Sequence, residues 1–244
     1  MKGVILAGGL GTRLYPLTFA TNKHLLPIFD KPMIFYPIKT LVNSGITEIL
    51  IVTSGPHAGH FIRVLKNGKE LGVKHLEYAY QEKPDGGIAD ALSLAEDFAD
   101  NGNIAVILGD NTTDVEIREE VEKFDGGSII FLRKLVSQDQ LRRFGVAVFD
   151  KNNNNKIIAV EEKPQIPKSN FVATGLYFYD KHVFDYIRQC KPSKRGEIEI
   201  TDVNNHYIEK GTLKWVELKG FWTDSGTFQT LYKANRYWAE KAGL

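Results

Sequence analysis

The chain has 244 residues, of which 43% are hydrophobic and 25% are charged. Such a composition is typical of a globular domain. Its 31 Lys and Arg residues nearly balance its 30 Asp and Glu residues, which gives a formal net charge of +1. Because this charge creates no broad positive field and the sequence holds no basic cluster, we expect no nucleic-acid polymer and no membrane surface as a partner.

Cysteine usage and the lengths of apolar runs bear on the cellular compartment. The single cysteine, Cys190, cannot form an intrachain disulfide. The first apolar string, Val4–Ala7, is much shorter than the core of a signal peptide. No run approaches the roughly 18 apolar residues of a membrane span. We therefore expect a protein of the reducing cytoplasm.

The first half of the chain, about residues 1–125, alternates short apolar runs with amphipathic stretches. This alternation is typical of parallel strands joined by crossover helices. The predicted strands are Lys2–Ala7, Glu48–Val52, His75–Tyr80 and Ile104–Leu108. The predicted helices are Pro32–Asn43, Ala58–Lys66 and Ile88–Phe98. We therefore predict an α/β fold with a Rossmann-like, mostly parallel sheet and helices on both faces.

The second half, about residues 126–244, predicts a β-hairpin inserted into this fold. Its strands are Gly145–Phe149 and Ile157–Glu161, and the turn is Lys151–Asn155, whose asparagines tolerate left-handed backbone angles. Further predicted elements are a strand at Ala173–Tyr179, helices at Val183–Gln189 and Thr201–Lys210, a strand at Leu213–Leu218 and a helix at Thr227–Lys241. Because no linker interrupts the pattern, we expect residues 1–244 to form one domain.

Three glycines follow the first predicted strand, at Gly8, Gly9 and Gly11. Without side chains, such a loop lets backbone N–H groups approach a phosphate at the carboxyl edge of the sheet. The spacing fits neither the dinucleotide fingerprint nor the P-loop. The nearby cations Arg13 and Lys23 suit a triphosphate that loses pyrophosphate. From the residues alone, a tight turn followed by two solvated cations is an equal alternative.

Two aspartates are candidate metal ligands. Asp110 follows an apolar strand after a single glycine, and Asp224 lies in a Trp-Thr-Asp-Ser-Gly turn. A few hard oxygen ligands, with phosphates completing the shell, suit Mg²⁺. Taken singly, each aspartate would more often be a helix cap or a turn former.

Two further polar residues end predicted strands. Gln81 has an amide that can donate and accept, which matches the edge of thymine or uracil. Lys163 precedes Pro164, which restricts the backbone there. The alternatives are a solvent-facing glutamine and an ordinary edge-strand charge.

A resemblance to the sugar-1-phosphate nucleotidyltransferases covers essentially the whole chain. The segment Gly8–Thr18, followed by Lys23–Ile28 and Lys31–Met33, is similar to the opening signature of that family. Motifs that resemble the short form of its glucose-1-phosphate thymidylyltransferase branch follow in order: Gln81 with Gly86–Ala89, Leu108–Asn111, Glu161–Pro164, Lys168–Asn170, Thr174–Tyr177, Arg195–Asp202 and Trp222–Thr227. The resemblance implies the nucleotide-diphospho-sugar transferase type of fold.

The resemblance also implies a reaction. An oxygen of glucose 1-phosphate attacks the α-phosphorus of dTTP or UTP, with Mg²⁺ as cofactor, and pyrophosphate leaves. Thymidylyl transfer is the expected activity. Uridylyl transfer is the alternative, because thymine and uracil differ by one methyl group, which is worth only about 1–3 kcal/mol in an apolar pocket. A non-catalytic nucleotide-sugar-binding protein is a third reading. Because the attacking oxygen is already ionised, we expect no general base and no catalytic histidine.

Roles for individual residues follow from the same resemblance. The expected catalytic residues are Arg13, Lys23 and Lys163, and the expected metal ligands are Asp110 and Asp224. The expected nucleotide-binding residues are Leu6, Gly8, Gly9, Gly11, Thr12, Arg13, Gln81 and Gly86, with Gly87 as the alternative to Gly86. The expected sugar-phosphate-binding residues are Gly145, Glu162, Lys163, Gly175, Tyr177 and Arg195. We also expect a homo-oligomer and, as in the short form, weak or absent feedback through a separate site.

Overall fold

The computed structural model describes the whole chain except the side chain of Asn154. The strands are β1 Lys2–Ala7, β2 Pro27–Ile28, β3 Lys31–Pro32, β4 Glu48–Ser54, β5 His75–Gln81, β6 Ile104–Leu108, β7 Asn111–Thr113, β8 Ser128–Lys134, β9 Gly145–Asp150, β10 Asn153–Glu162, β11 Phe171–Tyr179, β12 Leu213–Glu217 and β13 Trp222–Asp224. The helices are α1 Phe35–Asn43, α2 Gly59–Leu65, α3 Ile88–Ser93, α4 Glu96–Ala99, α5 Arg118–Lys123, α6 Gln138–Leu141, α7 Val183–Gln189, α8 Ile200–Glu209 and α9 Phe228–Lys241. Within this described part, no helix is both long and apolar enough to cross a membrane.

The described residues form one large sheet of nine strands, with β10, β9, β11, β6, β1, β4 and β5 in that spatial order and β8 and β12 joined through β11. The strands β6, β1, β4 and β5 are parallel to one another, as the sequence predicted. β11 is antiparallel to β6, β8 and β9, and β10 is antiparallel to β9. Only β10 and β11 therefore run against the common direction, and the mostly parallel sheet is confirmed.

Side-chain alternation along the central strands creates a hydrophobic core on each face of the sheet. Val4 and Leu6 of β1 pack into one cluster with Val106. Ile5 of β1 points to the opposite face and packs with Ile107. Strands buried on both faces have near-continuous apolar sequences, because each residue meets a core whichever way it points. Helices cover both faces, and the functional residues are left to the strand ends.

The sequence analysis did not predict the short elements β2, β3, β7, β13, α5 and α6, and the structure differs from it in three further places. The predicted helix Ile88–Phe98 is wrong as a single element, because the chain turns after Ser93 and α4 begins only at Glu96. The apolar run Ser128–Lys134 is a strand that the sequence reading missed, although uninterrupted apolar character is typical of a strand buried inside a sheet. The hairpin turn is confined to Lys151 and Asn152, because β10 begins at Asn153.

Gly175 permits an irregular passage in the middle of β11. Its φ is +88°, and the pairing of β11 with β8 shifts register between Ala173 and Tyr177. A methyl group added at Gly175 would lie 2.7 Å from Leu108 Cδ1 and 3.0 Å from Asn111 Nδ2. Glycine is required here both by the left-handed backbone and by the close approach of β6 and β7.

We expect Gly175→Ala to lower the free energy of unfolding by about 2–5 kcal/mol, from left-handed strain and overpacking together. The measurement is urea unfolding followed by circular dichroism. Gly59→Ala is the matched control, because a methyl group at Gly59 meets no atom within 4 Å and Gly59 begins α2 without a positive φ. Equal stability of the two variants would contradict the packing account.

Candidate active site

A cleft opens at the carboxyl edge of the parallel strands, and it has two adjoining halves. The first half is lined by Leu6, Gly8, Gly9, Lys23, His24, Gln81, Pro84, Asp85, Gly87, Ala91 and Glu197. The second half is lined by Asn111, Arg143, Phe144, Gly145, Glu162, Lys163, Ala173, Thr174, Gly175, Tyr177, Ile200, Thr201 and Asp224. Both halves share Arg13, Ile88, Leu108 and Asp110. Most of the residues selected from the sequence therefore meet in one place.

The glycine loop after β1 forms the floor of the first half. Gly9 has a φ of +89° and donates its N–H to Ser54 Oγ at 2.9 Å. A methyl group at Gly8 would lie 2.8 Å from Gln81 Oε1. Gly11 and Thr12 do not line the cleft but begin the tight turn that carries Arg13 into it.

The two predicted metal ligands are brought together by the short pairing of β7 with β13. Asp224 lies opposite Asn111 in that register, and Ser225 N–H donates to the carbonyl of Asp110 at 2.8 Å. A methyl group at Gly226 would be 3.4 Å from Asp224 Oδ2 and 3.5 Å from Asp110 Oδ2. The two oxygens are therefore at most about 7 Å apart.

Three cations surround these carboxylates. Lys23 Nζ donates to Asp110 Oδ2 at 2.6 Å, and Arg13 Nη2 is 3.1 Å from the position of the hypothetical Gly226 methyl. Arg143 Nη2 donates to Asp224 Oδ2 at 3.3 Å. The sequence reading missed Arg143, whose only signal was its place two residues before Gly145. The cluster thus alternates positive and negative groups.

Burial and neighbouring charge act in opposite directions on the two aspartates. Burial raises the pKa of Asp110, but the Lys23 ammonium and other nearby positive groups outweigh it and hold the pKa well below its usual range. For Asp224, burial and then the Asp110 carboxylate raise the pKa, and Arg143, Arg13 and Lys23 lower it only in part. A further positive charge between the two carboxylates would therefore favour the ionised form of both.

The donor set fits a Mg²⁺ ion only if the substrates complete it. Two carboxylates flank the Gly226 point, and across the described residues no group of three or more His, Cys, Asp or Glu side chains could hold a metal by itself. Mg²⁺ commonly keeps several waters and binds through one or two carboxylates plus substrate phosphates. Asp110 and Asp224 are compatible with that mode of binding.

The second half of the cleft is built around the end of the hairpin. Lys163 has a φ of +44°, a strained value for a residue before proline, and its N–H donates to the carbonyl of Phe144 at 3.0 Å. Its Nζ is 3.4 Å from Glu162 Oε1, and burial raises the pKa of Glu162. A methyl group at Gly145 would lie 2.8 Å from Thr201 Cγ2. Lys163 thus lines the cleft in a strained backbone conformation that the surrounding contacts maintain.

Arg195 lies beside the second half but does not line it. Its guanidinium donates to both oxygens of Glu199, at 2.8 and 2.9 Å, and to Glu197 at 3.0 Å. Glu162 is 3.6 Å away. In this arrangement the positive charge of Arg195 is largely compensated by carboxylates.

Gln81 is held differently from the sequence expectation. Its Nε2 group donates to Asp90 Oδ2 at 2.7 Å and to the carbonyl of Gly87 at 3.3 Å. Gly87, with a φ of +99°, lines the cleft, whereas Gly86 does not. Both amide hydrogens are engaged by the protein, so only Oε1 is left to interact with a ligand.

His24 and Cys190 are not poised for chemistry. Burial, followed by the positive charge of Lys23, lowers the pKa of His24 to about 3, and its Nδ1 is 2.7 Å from Asn22 Oδ1. Burial raises the pKa of the Cys190 thiol to about 11. The imidazole is therefore neutral and the thiol protonated at neutral pH.

The fold and the cleft together define an α/β protein with a cleft across the carboxyl edge of its sheet, where ligands bind in open α/β sheets. A model of the nucleotidyl transferase family matches residues 2–241. The chain is 44% identical over 241 residues to glucose-1-phosphate thymidylyltransferase of Neisseria gonorrhoeae, covering 96% of this chain and 81% of that protein. It is 40% identical over 240 residues to the Mycobacterium tuberculosis H37Rv protein of the same name, again covering 96% and 81%. The chain belongs to the nucleotidyl transferase family.

Solved structures agree with this assignment. A Bacillus anthracis protein assigned as a glucose-1-phosphate thymidylyltransferase, in complex with sucrose, superposes with a TM-score of 0.89 at 48% identity. The match covers 97% of this chain and 94% of that one. A UDP-glucose pyrophosphorylase complexed with UDP-glucose superposes with a TM-score of 0.84 at 24% identity, covering 98% of both chains, which shows the shared fold alone.

The low pKa of His24 predicts a pH effect on stability. In the unfolded chain this histidine is protonated below about pH 6.5, whereas in the folded chain it stays neutral until about pH 3. Stability is therefore lost as the pH falls through this range, by about 2 kcal/mol between pH 7 and pH 5. We expect urea unfolding of His24→Gln to lack this part of the pH dependence. Parallel pH curves for the two proteins would contradict the assignment.

Proposed function

We propose that the chain transfers a thymidylyl group from dTTP to glucose 1-phosphate and releases pyrophosphate. The observation that carries this proposal is the convergence of Asp110, Asp224 and Arg13 at the junction of the two halves of the cleft. A reaction between two anionic substrates needs such a junction, because their repulsion must be cancelled where they meet. The relatives named glucose-1-phosphate thymidylyltransferase support the choice of substrates.

The first half of the cleft would bind the nucleotide. The loop after β1 lines this half through Gly8 and Gly9, where its backbone would approach the phosphates. Arg13 and Lys23 would neutralise charge on the departing pyrophosphate. Gln81 would contact the base.

The second half would bind the sugar phosphate. Lys163 lines this half with its Nζ near Glu162, and it would bind the phosphate of glucose 1-phosphate. Glu162 and the backbone at Gly145 and Gly175 would accept or donate hydrogen bonds to the hexose hydroxyls, next to the buried ring of Tyr177. Arg195 would serve as a second anchor once an anionic substrate competes with Glu199 for its guanidinium. The attacking phosphate oxygen is already ionised, so no base is required.

Mg²⁺ held by Asp110 and Asp224 is part of the proposal. When bound, it would neutralise phosphate charge and favour in-line attack. The charge of the cleft supports this role. Its lining holds four cationic side chains (Arg13, Lys23, Arg143 and Lys163) against five carboxylates (Asp85, Asp110, Glu162, Glu197 and Asp224). A lining without surplus positive charge would bind two anions poorly without a divalent cation.

Uridylyl transfer is a second candidate. An acceptor oxygen on Gln81 serves uracil as well as thymine, since both rings carry a hydrogen at N3. We place the reaction in the cytoplasm, where nucleoside triphosphates are available and Cys190 would stay a free thiol, and we propose a homo-oligomer as the working form.

The direct experiment is a pyrophosphate-release assay with glucose 1-phosphate, Mg²⁺ and dTTP, UTP, dCTP, ATP or GTP in turn. We expect release with dTTP as the preferred donor and UTP as the next. Preference for UTP would make the protein a uridylyltransferase. Absence of pyrophosphate release with every triphosphate would reject catalysis and favour a nucleotide-sugar-binding protein.

We expect Asp110→Asn to fold normally and to lower kcat by at least about 100-fold, because a metal charge clamp contributes several kcal/mol to the transition state. The measurement is steady-state turnover at saturating dTTP, glucose 1-phosphate and Mg²⁺. Asp139→Asn, which removes an exposed carboxylate of α6, is the matched control. Near-normal turnover of Asp110→Asn would exclude it as a metal ligand.

We expect Lys163→Ala to raise the KM for glucose 1-phosphate by at least about tenfold, because it removes a charge-assisted hydrogen bond to phosphate. The KM for dTTP should change little. Lys134→Ala, at the exposed end of β8, controls for the loss of a surface charge. A raised KM for dTTP with an unchanged KM for the sugar phosphate would assign Lys163 to the nucleotide instead.

A further inference from the structure

The side chain of Gln81 is fixed by a carboxylate that lies behind it. Asp90, a half-buried residue of α3, accepts a hydrogen bond from Gln81 Nε2 at 2.7 Å. The carbonyl of Gly87 accepts a second one at 3.3 Å. Asp90 does not line the cleft, so its effect on a ligand must pass through Gln81.

Space for this carboxylate depends on Gly86. A methyl group at Gly86 would lie 2.3 Å from Asp90 Oδ2 and 2.7 Å from its Cγ. No side chain at position 86 is therefore compatible with the observed place of Asp90. The double glycine thus has two separate tasks, since Gly87 supplies the left-handed turn and Gly86 makes room for Asp90.

The neighbours of Gln81 decide which way its amide faces. An ionised carboxylate and a backbone carbonyl can only accept hydrogen bonds. A reversed amide would place Gln81 Oε1 against both the Asp90 carboxylate and the Gly87 carbonyl, with no hydrogen between the oxygens. The observed orientation directs Oε1 toward Gly8, where the added methyl would lie 2.8 Å from it. Among the described residues, Oε1 accepts no hydrogen bond, so it is available to a ligand in the cleft.

We infer that Asp90 is a positioning residue that makes Gln81 an obligate acceptor and thereby selects a base with a ring N–H. The inference rests on the proposed function. Thymine and uracil carry a hydrogen at N3, and Oε1 can accept it. Cytosine has a lone pair at N3, which would face the lone pairs of Oε1. Gln81 cannot rotate to donate without breaking its bonds to Asp90 and Gly87, so an Oε1 that faces ring position 3 disfavours cytosine relative to thymine and uracil.

The test compares kcat/KM for dTTP and dCTP, with glucose 1-phosphate as the acceptor, in the wild type and in Asp90→Asn. We expect the wild type to prefer dTTP by at least about 100-fold, as a site built to hydrogen-bond one partner does. It should also reject N3-methyl-dTTP, which lacks the ring N–H. An asparagine offers a donor as well as an acceptor, so the Gln81 amide can reverse. The preference for dTTP should then fall by at least about tenfold, mainly through a higher KM for dTTP at nearly unchanged kcat.

Controls separate positioning from a general structural effect. Asp97→Asn removes an exposed carboxylate of the nearby α4 and should keep the preference of the wild type. Asp90→Ala is a second variant that also frees the amide, for use if Asp90→Asn does not fold. Folded variants that keep the preference for dTTP, or that lose kcat equally with every triphosphate, would overturn the role of Asp90. A wild type that transfers no pyrimidine nucleotide would reject the proposed function and this inference together.

Discussion

The approach of two buried carboxylates at one point of the cleft is the constraint on which the rest of the site depends. Asp110 and Asp224 repel each other, and burial raises the free energy of their charged forms. The protein offsets this with Lys23 on Asp110 and Arg143 on Asp224. These contacts favour the ionised form of each carboxylate. The site is therefore prepared for a positive species between them.

The two aspartates are positioned by elements that differ greatly in how firmly the fold holds them. Asp110 follows β6, whose place is secured by parallel pairing and a core on either face. Asp224 depends on the three-residue strand β13, which pairs only with β7. The pairing is reinforced by Trp222 Nε1, which donates to Asn111 Oδ1 at 2.6 Å. Asp110 is thus held by the large sheet, and Asp224 is held by the short β7–β13 pair.

This difference explains what could be predicted from the sequence. The strands β1, β4 and β6 were predictable because a strand buried on both faces has a near-continuous apolar sequence. The edge strand β5 was predictable because its larger apolar residues alternate with other residues. The site residues at their ends followed from the rule that ligands bind beyond the carboxyl edge. The pairing of β7 with β13 was not predictable from local pattern, because strands of three residues have no measurable periodicity. The expectation that Asp224 lies near Asp110 came from the family resemblance and not from the spacing of the two residues in the sequence.

The residues that the sequence analysis missed or misinterpreted share one property: each acts through a contact with another side chain. Arg143 contacts Asp224, Asp90 contacts Gln81, and Glu199 contacts Arg195. Their partners are far along the chain or lie across a turn, so the local sequence pattern does not predict the contact. The interpretation of Gln81 as both donor and acceptor was incomplete for this reason. An isolated amide has both capacities, and the protein removes one of them by supplying two acceptors on the same side. Chemical capacity can be predicted from residue type, whereas the direction in which it is used depends on the neighbours that folding brings together.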